Sequence, residues 1–209
     1  MLRIITLLLL PFSALSQKST FLELSGGIGS GWWTYDKGIA DDGNHLGWDN
    51  SPVRAFAGVE AECVFRFNRW NVGLGSRLAF YLYDKMLAGN HSQYHQNKYK
   101  IAERNVRFIQ FYVVGEYDLF SGKKFLFSPF IKAGSFLIDT THPQADKFGF
   151  RMMFSGGVNN QFVLTDRLWL VAGPYCQVMT IWGNEKARDG EKHQIFNLNF
   201  DLGLRYVIH

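Results

Sequence analysis

Apolar residues recur at every second position over most of this chain, and this alternation limits the possible folds more than any other feature. In residues 53–67, Val, Ala, Cys and Phe occupy the odd positions, and the charged residues fall on even ones. Successive side chains of a β-strand point to opposite faces, so a period of two indicates strands with one apolar face. The i, i+3, i+4 pattern of amphipathic helices is almost absent. The sequence therefore predicts an all-β fold.

Eight segments carry the alternation, and all of them are long. They are 20–31, 51–67, 70–83, 106–119, 124–138, 148–164, 167–182 and 193–208. Strands of soluble proteins usually have about 5–6 residues, whereas a tilted strand needs about 9–11 residues to cross a bilayer. The segment lengths therefore favour strands that span a membrane.

Short and long connections alternate along the chain. Asn68–Arg69, Ser121–Lys123 and Thr165–Asp166 are short enough for tight hairpin turns. The other connections, 31–50, 84–105, 139–147 and 183–192, are long. Tight turns at one end and long loops at the other are the layout of an eight-stranded antiparallel up-and-down transmembrane β-barrel. Both chain termini are then expected at the periplasmic end.

Glycine indicates which face points inward, because a soluble barrel also alternates but keeps its apolar side inside. Most strand glycines lie on the polar face, and only Gly26, Gly115 and Gly156 lie on the apolar face. The concave interior of a narrow barrel favours small residues, whereas its convex exterior accepts bulky Phe and Leu. The apolar face is therefore predicted to contact lipid.

Residues 1–16 are predicted to be a signal peptide, and residues 17–209 the barrel domain. Arg3 precedes a short apolar stretch that Pro11 ends, and Ala14 and Ser16 are the small residues that a signal peptidase requires. A chain of 209 residues is long enough for one domain and short for two. Its formal net charge of +4 is too small to indicate nucleic acid as a partner.

These features, together with a final strand of alternating aromatic and aliphatic residues from Phe196 to Ile208, resemble the OmpA-like outer-membrane β-barrel family. The resemblance covers essentially the whole mature chain. It implies a location in the outer membrane of a Gram-negative-type cell and insertion by the barrel assembly machinery, which reads the final strand. In that family the final strand often ends in an aromatic residue, whereas here three further residues follow Tyr206.

The lumen of an eight-stranded barrel is only just wide enough for side chains to fill it. Strand parity places five acids and six bases inside, and this near balance predicts a paired network that plugs the lumen. A narrow gated ion channel through the network, as discussed for the OmpA-like family, is the alternative. The predicted interior residues are Glu23, Arg54, Glu60, Glu62, Arg66, Arg77, Glu116, Lys132, Arg151, Asp201 and Arg205.

The sequence predicts no catalytic, metal-binding or cofactor-binding residue. A lipid A-modifying enzyme would need a serine and a histidine within hydrogen-bond reach, but the side chains of the adjacent His91 and Ser92 would diverge. His91 and His95 have the spacing of a metal pair without a nearby carboxylate. Residues 41–44 resemble part of a calcium loop that lacks its closing glutamate. We expect a structural, anchoring or surface-interaction role, with the lipid A-modifying enzyme as the alternative.

Four aromatic residues, Trp32, Trp33, Tyr35 and Trp48, mark the first long loop. Trp32, Trp33 and Tyr35 are predicted to belong to the aromatic girdle at the outer membrane interface. The alternative is a contact surface for a glycan or a protein, formed by all four residues. The second long loop is modestly basic. This charge suits contact with the phosphates of lipopolysaccharide, although solvation of the loop explains it equally well. Outer-membrane lipid and lipopolysaccharide are the expected partners.

Cys63 and Cys176 fall on the lipid face of strands that are not neighbours. A disulfide needs Cα atoms within about 7 Å, so two free thiols are predicted. Pro129 and Pro174 fall inside strands, where the missing backbone donor is unfavourable. They are predicted to mark bulges or bends.

Overall fold

The computed structural model describes residues 19–36, 48–83, 105–139, 148–183 and 192–208. No helix within these ranges has the length and apolarity needed to cross a membrane. The described residues form nine β-strands. They are β1 (Ser19–Asp36), β2 (Trp48–Phe67), β3 (Trp70–Tyr83), β4 (Asn105–Tyr117), β5 (Phe120–Ser121), β6 (Phe125–Asp139), β7 (Phe148–Val163), β8 (Leu168–Gly183) and β9 (Lys192–Ile208).

Eight of these strands are long and form a closed antiparallel barrel. Each long strand pairs with its neighbours along the chain, β1 pairs with β9, and β4 pairs with β6, so that the ladder closes on itself. The two-residue strand β5 adds a short pairing to the beginning of β6. The predicted eight-stranded antiparallel barrel is thereby confirmed.

The register of the ladder determines the stagger of the barrel. A path of directly paired residues that leaves β1 at Thr20 returns to β1 at Ser30, ten positions further along. Closure with such a stagger requires the strands to tilt by about 35–45° from the barrel axis. The path passes through Thr20, Phe65, Val72, Gly115, Ile131, Gly156, Cys176, Leu198 and Ser30.

The two ends of the barrel differ. At the turn end, residues 68–69, 118–124 and 164–167 connect the strands, and β1 begins beside the end of β9. Asn68 has a φ of 57°, and the Gly122 N–H donates to the Phe125 carbonyl oxygen at 2.8 Å. At the loop end, the described strands lead into the segments 37–47, 84–104, 140–147 and 184–191. The predicted tight turns thus lie together at one end.

Strands β1 and β2 extend further than the alternation predicts. The connection between them covers 37–47 and not 31–50. Trp32, Trp33, Tyr35 and Trp48 therefore lie in strands, and their assignment to a loop is wrong. Beyond the lipid belt both faces of a strand can meet water, so the alternation fades although the backbone ladder continues.

Exposure alternates along the strands as the apolar and polar faces require. Leu24, Ile28 and Ile131 are 67%, 70% and 72% exposed, whereas the inward-facing Glu23 and Lys132 are 7% and 6% exposed. Burial of such an apolar exterior in lipid removes the unfavourable contact with water. The predicted lipid-facing apolar surface matches this arrangement.

Inward-facing glycines make room for large side chains. A Cβ atom added to Gly75 would lie 2.4 Å from a ring carbon of Tyr112, which is closer than two non-bonded carbon atoms can approach. A Cβ added to the outward-facing Gly26 or Gly115 would have its nearest neighbour at 3.6 Å or 3.9 Å, which is ordinary van der Waals contact. The glycines of the lumen wall are therefore a packing requirement, as their position in the sequence indicates.

The prolines do not shift the register, so neither marks a bulge, and the predicted bends remain predictions. The β6–β7 ladder continues through Pro129 and the β8–β9 ladder through Pro174. The β7–β8 ladder, however, is interrupted between Tyr175 and Ala172, where Pro174 lacks a backbone donor. Pairing between β4 and β6 ends at Phe130, so Pro129 lies just beyond that ladder, where its missing N–H leaves no ladder bond unmade. The register shifts of the described strands lie near the loop end, between Gly29 and Gly31, Val53 and Ala55, and Phe148 and Arg151.

Both cysteines are free, as predicted. Cys63 lies on β2 and Cys176 on β8, and β1 and β9 separate these two strands. Cys176 is exposed on the outer surface and Cys63 is partly exposed. The barrel is therefore closed without a covalent cross-link between its strands.

Candidate functional site in the lumen

A first group of ions crosses the middle of the lumen. The Lys132 Nζ on β6 lies 2.6 Å from a carboxylate oxygen of Glu60 and 2.6 Å from one of Glu62, both on β2. Glu60 also accepts a hydrogen bond of 3.1 Å from Arg77 on β3. Arg77 in turn donates two bonds of 2.8 Å to Asp201 on β9. This group connects four strands through side chains alone.

A second group of ions lies nearer the turn end and is centred on Arg205. Its guanidinium makes two parallel contacts of 3.0 Å and 2.9 Å with Glu116. Its Nε donates to Glu23 at 2.7 Å, and Asn159 donates to Glu116 at 2.5 Å. Planar two-point pairing is the strongest geometry available to an arginine and a carboxylate. Arg205 is therefore held on two sides, by β1 and by β4.

Asp118 forms a third group at the turn end. It accepts hydrogen bonds from Asn71 at 3.0 Å and Ser128 at 2.8 Å, and it forms an ion pair with Arg66. The sequence interpretation missed Asp118. It lies two positions after Glu116 and therefore on the same inward face, so the alternation contained the signal.

Aromatic rings surround the cations of the middle group. The Lys132 Nζ lies 4.9 Å from the ring centroid of Tyr112 and 5.0 Å from that of Phe130. The Arg77 guanidinium lies 4.9 Å from the ring of Phe56. Contacts of this kind are favourable for a cation that has lost its water. The rings therefore stabilise the charges and also fill the space around them.

The structure brings most of the predicted interior residues together. Each buried lumen carboxylate in the described strands contacts at least one cation, as burial of charge requires. Arg151 is different, since its Nε is buried without a hydrogen-bond partner and it forms no ion pair with a described residue. The Arg54 side chain lies outside the described residues. Those brought together are Glu23, Glu60, Glu62, Arg66, Arg77, Glu116, Lys132, Asp201 and Arg205.

Toward the loop end, uncharged polar groups replace the ions. Asn197 donates to the Tyr81 hydroxyl at 2.8 Å, and that hydroxyl donates to Gln177 at 3.2 Å. Gln177 donates to Gln110 at 3.1 Å. These side chains come from β3, β4, β8 and β9 and meet inside the barrel. They form a hydrogen-bonded layer above the ions.

A loop-end apolar cluster fills the lumen beyond this layer. Ring centroids are 4.8 Å apart for Tyr81 and Phe108 and 5.6 Å apart for Phe108 and Phe136. The sequence interpretation treated the interior as polar and missed this cluster, although its members share the inward parity. The cluster consists of Phe56, Tyr81, Phe108, Phe136, Met153, Met179, Ile181 and Ile195, all at most 1% exposed.

Three buried carboxylates, Glu23, Glu60 and Glu62, each place an oxygen within 4.8 Å of the others. Such a set of oxygens could hold a divalent cation. Here Lys132 and Arg205 already bind these carboxylates at 2.6 Å. A metal ion would have to displace both cations, so the arrangement is a protein ion-pair network and not a metal centre.

Trp32 lies on the outer surface, is 51% exposed and stacks on Phe196 at 5.6 Å between ring centroids. This position near the loop end is typical of an interfacial girdle. The side chains of Trp33, Tyr35 and Trp48 lie outside the described residues. The same is true of His91, Ser92, His95 and residues 41–44, so the predictions about them remain predictions.

A closed barrel with a lipid-facing apolar exterior and a lumen filled by side chains defines a transmembrane β-barrel protein of the outer-membrane type. Solved structures show the same architecture. Outer membrane protein AlkL, determined in lipid bilayers, is 11% identical, with a TM-score of 0.53 over 92% of this chain and 90% of that chain. This likeness shows that the chain has the fold of outer-membrane β-barrels.

Two further structures are similar at TM-scores of 0.49. OprG from Pseudomonas aeruginosa is 12% identical over 92% of this chain and 97% of that chain. Neisserial surface protein A is 10% identical over 89% of this chain and 96% of that chain. No protein-family model and no curated protein matches the sequence. The similarity is therefore one of fold.

Proposed function

We propose that this protein is an integral outer-membrane β-barrel with a structural, anchoring or surface-interaction role and no catalysis of its own. The observation that carries the proposal is the filled lumen, in which paired ions occupy the middle and the loop-end apolar cluster occupies one end. A barrel of this kind presents its outer surface to lipid and its connecting segments to the surroundings. Its function then lies in those surfaces and not in the interior.

The filled lumen argues against a permanently open pore. An ion that passed the loop-end apolar cluster would lose its water among Phe108, Phe136 and Ile195, whose apolar side chains offer no hydrogen bond in its place. Below the cluster it would have to separate Arg205 from Glu116 or Lys132 from Glu60. Both steps leave buried charges unpaired, which costs several kcal/mol for each ion.

The cellular setting belongs to the same proposal. Residues 1–16 direct export, the final strand is read by the barrel assembly machinery, and membership of the OmpA-like family accounts for both. Outer-membrane lipid and lipopolysaccharide surround the barrel, and a glycan or a protein is the surface ligand. No nucleic acid and no cofactor is involved. The outer-membrane barrel fold supports this setting.

Conductance in planar bilayers tests the filled lumen. We expect no steady current from the wild-type protein, because the apolar cluster and the ion pairs close the path. A matched pair of variants checks the cause: Phe108→Ala removes a ring of the cluster, whereas Phe111→Ala removes an exposed outward ring of the same strand. Steady wild-type current that Arg77→Ala or Glu60→Ala abolishes would contradict the proposal.

A narrow gated ion channel is the second candidate, and one observation favours it. Lys132 is shared by Glu60 and Glu62, and Glu60 is shared by Lys132 and Arg77. Shared partners allow the ions to exchange contacts without leaving any charge unpaired. Brief voltage-dependent openings in the wild type, altered in Lys132→Met, would support the channel and exclude a purely structural lumen.

A lipid A-modifying enzyme is separable from both candidates by mass spectrometry. Lipid A from cells that express the protein is compared with lipid A from cells that do not. We expect identical masses. A mass difference that His91→Ala or Ser92→Ala removes would establish catalysis and overturn the proposed role.

A further inference from the structure

The turn end of the barrel carries an excess of exposed positive charge. Its exposed charged residues in the described ranges are Arg69, Lys123, Lys124 and Arg167, with Asp166 as the opposing acid. The other charged pair at this end, Arg66 and Asp118, is directed inward and neutralises itself. The outer rim of this end is therefore basic, unlike the balanced lumen.

Backbone hydrogen bonds join the three turns into one continuous rim. The Asp118 N–H donates to the carbonyl oxygen of Arg69 at 2.8 Å. The Val163 N–H donates to the carbonyl oxygen of Lys124 at 3.0 Å. The four cations consequently lie on successive, directly connected turns and do not form separate surface charges.

Exposed apolar residues lie beside these cations in sequence. Trp70 and Leu119 are each 60% exposed, Phe120 is 58% exposed and Leu164 is 54% exposed. Trp70 also packs on Tyr117, with 4.8 Å between the ring centroids. Contact between water and such large apolar side chains would be unfavourable. Aromatic residues next to cations are typical of the boundary between acyl chains and headgroups.

We propose that this basic rim, formed by Arg69, Lys123, Lys124 and Arg167, binds the headgroup phosphates of anionic phospholipids in the leaflet at the turn end. The apolar neighbours lie at the top of the acyl region, and the cations extend beyond them to the phosphates. Anionic headgroups attract basic residues held at a membrane surface. The proposal requires only that the barrel spans a bilayer, and it does not depend on the proposed role.

Lipid retention measured by native mass spectrometry tests the rim. The folded full-length barrel is equilibrated in micelles with equal amounts of phosphatidylglycerol and phosphatidylcholine, and the lipids that stay bound are counted. We expect the wild type to retain phosphatidylglycerol preferentially. Each basic residue removed should lower that preference about fivefold at low salt. Lys123→Gln/Lys124→Gln and Arg167→Gln provide two independent variants.

Two controls separate the rim from general charge effects. Arg107→Gln/Lys192→Gln removes two positive charges near the loop end and should leave the preference nearly unchanged. Asp166→Asn removes the acid of the rim and should raise the preference, which a purely structural role of the turn would not do. A gel-mobility assay before and after boiling confirms that each variant is folded.

Equal retention of the two lipids by the wild type would overturn the proposal. The same conclusion would follow if Lys123→Gln/Lys124→Gln and Arg107→Gln/Lys192→Gln lost the preference to the same extent. Inorganic phosphate added in excess distinguishes the source of the phosphate. Displacement of the lipid by free phosphate would show an anion site that does not require a lipid.

Discussion

Arg205 on β9 and Glu116 on β4 meet across the lumen in a two-point ion pair, with nitrogen–oxygen distances of 3.0 Å and 2.9 Å. The two strands are not neighbours, since β1, β2 and β3 lie between them on one side of the ring. The pair therefore ties opposite walls of the barrel. Glu23 binds the same guanidinium from β1.

Replacement of Arg205 by methionine should strongly destabilise the barrel. Arg205→Met keeps most of the side-chain volume but leaves the carboxylates of Glu116 and Glu23 buried without their cation. Loss of one partner of a buried pair costs about 3–5 kcal/mol. Urea-induced unfolding in lipid vesicles, followed by gel mobility, measures the loss. Arg205→Met/Glu116→Gln should recover part of it, and a double variant as unstable as the single variant would contradict the pairing.

Alanine at Gly134 should disturb folding, whereas alanine at Gly115 should not. The new Cβ at position 134 would lie 2.6 Å from the Tyr112 Cα in the lumen wall, whereas at position 115 it would meet Ile131 at 3.9 Å on the lipid face. Overpacking costs about 1–3 kcal/mol, and a tolerated surface change stays within about 0.5 kcal/mol. Equal unfolding free energies for Gly134→Ala and Gly115→Ala would show that the crowded wall does not limit folding.

The turn at Asn68 should reject a β-branched residue. Asn68 has a φ of 57°, in the left-handed region that asparagine and glycine tolerate. Asn68→Val should therefore lower the free energy of unfolding by about 1–2 kcal/mol. Asn68→Gly is the control and should be close to the wild type in the same urea titration. A stable Asn68→Val barrel would mean that the turn adopts another conformation in the membrane.

The two cysteines should react with maleimides that partition into lipid and resist water-soluble ones. Cys176 is exposed on the outer surface, and two strands lie between the strands of Cys63 and Cys176. Three inter-strand spacings of about 4.8 Å exceed the reach of a disulfide. Non-reducing gels should accordingly show no cross-linked form. Asp166→Cys introduces a thiol at an exposed turn and is the control that water-soluble maleimides should label. Labelling of Cys176 by the same water-soluble maleimide would show that the apolar outer face of the barrel contacts water.

Much of the barrel can be predicted from the sequence because contact with lipid requires an apolar residue at every second position of each strand. Residues 70–83 are predicted and observed as β3, and most of the other boundaries differ by one or two positions. Beyond the lipid belt this requirement no longer holds, so the alternation did not predict that β1 extends to Asp36 or that β2 begins at Trp48. The alternation indicates which residues face lipid, but it does not indicate where the backbone hydrogen bonding between strands ends.

The interior was harder to predict, because parity tells which side chains point inward and not what they meet. Glu60 and Lys132 could be placed in the lumen from the alternation, but their pairing requires the stagger of the closed barrel. The apolar ring of Phe108 has the same parity as Gln110 and escaped notice because inward positions were expected to be polar. The near balance of acids and bases predicted that the inward charges would be paired. Arg151 departs from this prediction, because this inward base has no acid opposite it among the described residues.

The loop-end apolar cluster has a consequence for protein engineering. It lies between the ion pairs and the loop-end limits of the described strands, and the ion pairs of the middle of the barrel are made among residues of the strands. Foreign peptides grafted onto those strand ends would meet hydrocarbon-like packing and not the charges beneath it. The part of the barrel below Phe136 can thus serve as a scaffold for displayed peptides. The peptides can be exchanged without redesign of the ion pairs in the lumen.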